Sequence, residues 1–174
     1  VGNGNTLESL EVPTQFVVVS GQNNNISEGT SHTTIMGSSG NSRGNQFQNI
    51  LSNESGQVIK MFHDATGISL DEEQIIDEFR HSETEKLVYI TGKVMFSLDD
   101  GSYAKVINFK YSFNDTIIPV LTQDTEIEIG GTNDLSIAFD HNISYPILST
   151  KLVTSQTIES PWSALIEYDI REFH

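Results

Sequence analysis

The chain has 174 residues, 36 % of them hydrophobic, and carries 24 Asp and Glu against nine Lys and Arg, for a net charge of −15. That length fits one domain with an appended segment, and so acidic a surface excludes nucleic-acid binding or anionic-membrane binding through a basic face. The lack of cysteine excludes a disulfide framework, a thiolate zinc site and a cysteine nucleophile, and no run of about 18 apolar residues exists to insert into a bilayer.

Residues 1–56 hold eight of the 13 Gly, nine of the 13 Asn, a single basic residue, Arg43, and no Asp. They read as a polar N-terminal arm, because a stretch that buries so little apolar surface cannot offset its own ordering entropy. If ordered, it must be held by the rest of the domain or by a neighbouring molecule. One apolar island interrupts it: Phe16-Val17-Val18-Val19, after Pro13, reads as a short strand. No internal repeat of convincing period stands out. A start at Val1 rather than Met fits removal of a leader or release from a precursor.

Residues 57–174 read as a β-sandwich domain. Val58 to Phe62 is a short strand, ended by His63-Asp64-Ala65-Thr66-Gly67. Ser69-Leu70-Asp71-Glu72 matches a capping box, and Leu70, Ile75, Ile76 and Phe79 give a helical stripe, so the spacing predicts one short α-helix over 70–81. From Glu85 onward the pattern is β. Runs 87–98 and 102–113 flank Asp99-Asp100-Gly101, a hairpin signal. In the second run Tyr103, Ile107, Phe109, Tyr111 and Phe113 share one face, interrupted by Lys105. Further strands are expected at 117–122, 124–129, 135–139, 147–154 and 163–173. In the last, Ile166, Tyr168 and Ile170 face inward. The fold class is therefore mainly β: an antiparallel sandwich or jelly-roll-like domain with one helix and a polar arm.

Motifs for chemistry are sparse. None of the five histidines has a second histidine three to five residues away, so no metal site is expected. Calcium at Asp99-Asp100 or Asp71-Glu72 lacks the EF-hand spacing, and a turn and a helix start explain the same residues. His63-Asp64 and Asp140-His141 are sequence neighbours, whose side chains on a strand point to opposite faces. Gly37-Ser38-Ser39-Gly40 is no nucleophile elbow, and Gly40 to Gly44 lacks the Lys-Ser/Thr of a phosphate loop. The chain is expected not to be an enzyme and to need no cofactor.

Four acceptor sites for N-glycosylation occur, at Asn25, Asn53, Asn114 and Asn142, which tilts the reading to an extracellular or virion-surface glycoprotein. The composition points to a structural subunit of a filament or coat. Its arm would contact other copies by strand addition through Phe16, Val17, Val18 and Val19, with the partner strand on another chain. The alternative is a carbohydrate-binding module, with Trp162 or Tyr145 as a sugar-stacking platform. Val106 to Leu121, an aromatic-rich strand leading into Ile118-Pro119-Val120, followed by Ala164 to Asp169, resembles the core of H-type lectins and related fibre-tip domains. That resemblance implies a small trimer-forming sandwich with sugar bound near the final strand, and it carries over no binding residues.

Overall fold

The computed structural model describes residues 2–7, 15–81, 87–114, 119–130, 134–142 and 147–173. Its strands are β1 (Thr6–Leu7), β2 (Gln15–Gln22), β3 (Asn25–Ile26), β4 (Ser31–Ser38), β5 (Gln48–Asn53), β6 (Gly56–Gly67) and β7 (Glu73–Arg80). They continue with β8 (Leu87–Leu98), β9 (Ala104–Phe113), β10 (Val120–Ile129), β11 (Ser136–Asn142), β12 (Ile147–Val153) and β13 (Trp162–Phe173). No described residue is helical, so the mainly β expectation stands and the helix does not.

Alternation of apolar and polar residues builds the larger layer. Eight strands run in the order β10-β9-β8-β13-β6-β5-β4-β2, and β13 lies at the centre, antiparallel to both β6 and β8. Its inward row of Trp162, Ala164, Ile166, Tyr168 and Ile170 is buried. The inward face packs over the three-stranded sheet β11-β12-β7, where Leu148 and Leu152 are wholly enclosed. The Asp99-Asp100-Gly101 hairpin forms as expected, with the Ser102 amide donating to Asp100 Oδ1 at 2.9 Å. Lys105, on the buried face of β9, is matched by Glu128 of β10 at 3.6 Å, and Tyr103 donates to the same carboxylate. Burial, then that bond, holds the Tyr103 phenol above its ordinary pKa.

Three expected boundaries move for local reasons. The region 70–81 holds strand β7 over Glu73–Arg80, with a bulge in it: Lys151 pairs with Ile75 and Thr150 with Asp77, leaving Ile76 unpaired. The bulge turns Ile76 and Phe79, three apart, to the same buried side, which imitates a helical stripe. A second bulge, between Thr125 and Ile127, carries one strand through 120–129 where two were expected. The strand begun at Val58 runs on through His63 to Gly67, paired throughout with β13.

The first 56 residues form the other departure. β2, β4 and β5 are parallel neighbours, Val17 pairing with Thr33 and Ile35 with Ile50. The parallel pair β1-β3 and the bridge from Asn25 to Asn41 lie on the other side of the same turns. The chain therefore winds as a parallel solenoid of about 16 residues per coil, in which Phe16 to Gly21, His32 to Gly37 and Phe47 to Ser52 are equivalent. This corrects the expectation of no repeat. Val19, Ile35 and Ile50 stack inward, the latter two fully buried. Corners are polar. Buried Asn24 donates to the Gly37 carbonyl at 3.1 Å and accepts from the Gly40 amide at 2.8 Å, while Asn5 Oδ1 accepts from the Asn24 amide at 3.0 Å. Backbone and amide side chains thus do the ordering that apolar surface cannot.

The solenoid is continuous with the rest. β5 turns into β6 antiparallel, and Arg43 spans both oxygens of buried Glu172 in β13, at 2.7 and 2.5 Å. Gln57 donates to Glu172 as well.

Candidate functional site

The open end of the solenoid is the first candidate. β2 is an edge of the eight-stranded sheet, and among the described residues it pairs on one side only. That partner, β4, belongs to the same chain, which corrects the expectation that the partner strand of Phe16 to Val19 lies on another chain. Val17 and Val19 turn inward against the core. Phe16 and Val18 turn outward, 74 % and 62 % exposed.

Phe16 also ends a column of rings. It stacks on His32 at 5.0 Å between centroids, and His32 stacks on Phe47 at 4.7 Å. All three have positive φ, near 50°, at equivalent positions of successive coils. Non-glycine residues rarely adopt this conformation, and here the ring stack accompanies it coil after coil. The column continues into His63, which meets Phe47 edge-on at 6.3 Å. The faces of His32 and Phe47 are occupied by each other, so Phe16 is the terminal ring.

Below this column lies a cleft of about 670 Å³ between the third coil and β7, lined among others by Glu28, Phe47, Asp64, Glu78 and Arg80. Within it His63 Nδ1 lies 2.5 Å from Asp77 Oδ1. His63 Nε2 lies 3.2 Å from the Gln46 carbonyl. Burial opposes charge on this imidazole, but the bond to Asp77, its charge and the Gln46 carbonyl together hold the pKa above its ordinary value. Asp77 Oδ2 is buried, and the carboxylate adds to burial in pushing the Tyr168 phenol upward. Asn45 closes the floor, donating to the Arg80 carbonyl and accepting from its amide, both at 2.8 Å. The lining carries four carboxylates against His63 and Arg80, a balance that disfavours anions.

The other expected residues scatter. Trp162 is 1 % exposed, donates to the Ser69 carbonyl at 2.7 Å and stacks on Phe96, so it anchors the core and presents no face to a sugar. Tyr145 lies outside the described residues. Asn25 is a partly buried strand residue that accepts from Thr6 at 2.7 Å, Asn53 sits exposed at the turn into β6, and Asn114 follows β9. Asn142 ends β11. His63 pairs with Asp77 instead of Asp64, and Asp140 reaches Lys151 at 3.2 Å instead of His141. Sequence reading missed Asp77 because the helix assignment placed it on a solvated face.

No family model matches the chain, and no curated protein matches it. Among solved structures it is similar to three tailspikes. That of Acinetobacter baumannii phage AM24 is 6 % identical, with a TM-score of 0.33, 90 % of this chain covered and 33 % of the other. Gp49 of the A. baumannii bacteriophage Fri1, a capsular polysaccharide depolymerase, is 7 % identical at a TM-score of 0.40, covering 96 % and 38 %. The tailspike of Acinetobacter phage vB_ApiP_P1 is 10 % identical at 0.37, covering 89 % and 38 %. This chain thus spans between 33 % and 38 % of each of those chains. Gp49 is an enzyme, and the expectation that this chain is not one is corrected accordingly: a missing nucleophile motif decides nothing.

Proposed function

We propose that this chain is a structural β-protein of a virion or other extracellular surface, which joins to further copies of itself through the open end of its solenoid. The observation that carries the reading is the position of β2 as the last strand of the eight-stranded sheet among the described residues, with Phe16 and Val18 exposed on it. A strand added there would satisfy the backbone groups of β2, cover Val18 and set a ring on Phe16. The tailspikes to which the chain is similar are virion proteins, which agrees with the surface setting. Sedimentation velocity across a concentration range tests it. Wild type is expected to form species larger than the monomer, and Val18→Asp to abolish them with little change in melting temperature. A wild-type monomer at every concentration would refute the reading.

Glycan contact is a second reading, favoured by the cleft, where an aromatic wall at Phe47 faces carboxylates that can accept from sugar hydroxyls. Phe47→Ala is expected to lower retention on a glycan array. Equal retention by both proteins, or none by either, would remove this reading and leave the first intact.

A further inference from the structure

We propose that His81 and His141 form a chelating site for one imidazole-preferring divalent transition-metal ion, with Zn2+ as its representative. The two residues are 60 apart in sequence and are separated in the three-stranded sheet by β12. His81 follows the last residue of β7, and His141 lies near the end of β11. Their Nε2 atoms nevertheless converge to 3.1 Å. Their ring centroids are 4.9 Å apart, with planes at 75°.

Two imidazoles on one tetrahedral ion, with bonds of about 2.0–2.1 Å, place their donor nitrogens about 3.3 Å apart and their rings about 5 Å apart. The observed nitrogen and ring separations lie close to those values. A wall fixes them: the Phe113 ring contacts His81 at 4.8 Å and His141 at 4.2 Å between centroids. Rotamer freedom has thus been given up before an ion arrives.

The donor set also selects the ion. Paired nitrogens suit Zn2+, Cu2+ or Ni2+, whereas Mg2+ and Ca2+ need oxygens. A net charge of −15 concentrates any cation near the surface. No group of three or more metal-ligating side chains exists among the described residues. The protein therefore offers two nitrogens, and water completes the shell, as in an open site. The spacing rule applied to the sequence could not find this pair, because both histidines come from different strands.

Calorimetric titration of the full chain with Zn2+, and with Co2+ followed by its visible absorption, tests the proposal. Wild type is expected to take one ion per chain with a rise in melting temperature, and His81→Gln and His141→Gln each to weaken binding at least about tenfold. His32→Gln, which removes an exposed imidazole elsewhere, should leave the Zn2+ affinity unchanged. If buried His81 proves necessary for folding, the partly buried His141→Gln decides alone. Absence of saturable one-to-one binding by folded wild type, or undiminished affinity in His141→Gln, overturns the site and leaves the pair as a shared hydrogen bond.

Discussion

His63 shows how a single side chain ties the two parts of the molecule together. It belongs to β6, bonds to Asp77 on β7 and touches the Gln46 carbonyl of the third coil. Its pKa in the folded state is raised, so the stability it adds is fully present below the unfolded value of about 6.5 and is lost as pH rises through the folded value. The expected outcome is that wild type loses melting temperature relative to His63→Gln between roughly pH 6 and pH 8. Parallel curves for the two proteins would show that the pair contributes nothing. His141 has a lowered pKa and acts with the opposite sign, so the comparison must be made between these two proteins rather than read from wild type alone. Glu172 makes a related point. It sits at 2 % exposure and is tolerated because Arg43 and Gln57 both reach it.

Among the elements, the solenoid corners depend on particular backbone positions. Gly21 and Gly37 occupy equivalent sites at φ of 127° and 117°, and a Cβ on Gly37 would stand 2.0 Å from the Ser52 carbonyl oxygen. Gly37→Ala is therefore expected to cost at least about 1–3 kcal/mol, read as a lower melting temperature, from backbone strain alone. An unchanged melting temperature would mean that coils two and three are not stacked as described. Strands β8, β9 and β13 were legible in the sequence, since each has one drier face and one wetter face, and period-two alternation records that directly. The run 87–98 was found to the residue. The bulge in β7 was not legible, because an extra residue in one strand converts period two into an apparent three. Nor was the repeat. Its equivalent residues, Phe16, His32 and Phe47, or Asn5 and Asn24, are alike in conformation and stacking more than in hydrophobicity. The first coil is also longer, its β1 partners lying 19 residues on, against 16 for β2.

For the whole molecule, the described residues of the N-terminal stretch that composition marks as poorly ordered are held by lateral stacking. Each coil supplies the backbone partners of the next, and the last coil is completed by β6. Among the described residues β2 ends the eight-stranded sheet, and a sheet edge is where a further strand can add. The candidate cleft, in contrast, exists only where the solenoid meets β7, so no single segment of sequence contains it.

Hydrogen–deuterium exchange of residues 15–22, followed from dilute to concentrated protein, tests the central claim most directly. The account predicts that amides of β2 not bonded to β4 exchange quickly when dilute and become protected as larger species form, while β13 stays protected throughout. Larger species that leave exchange in β2 unchanged would place the contact elsewhere and contradict the claim.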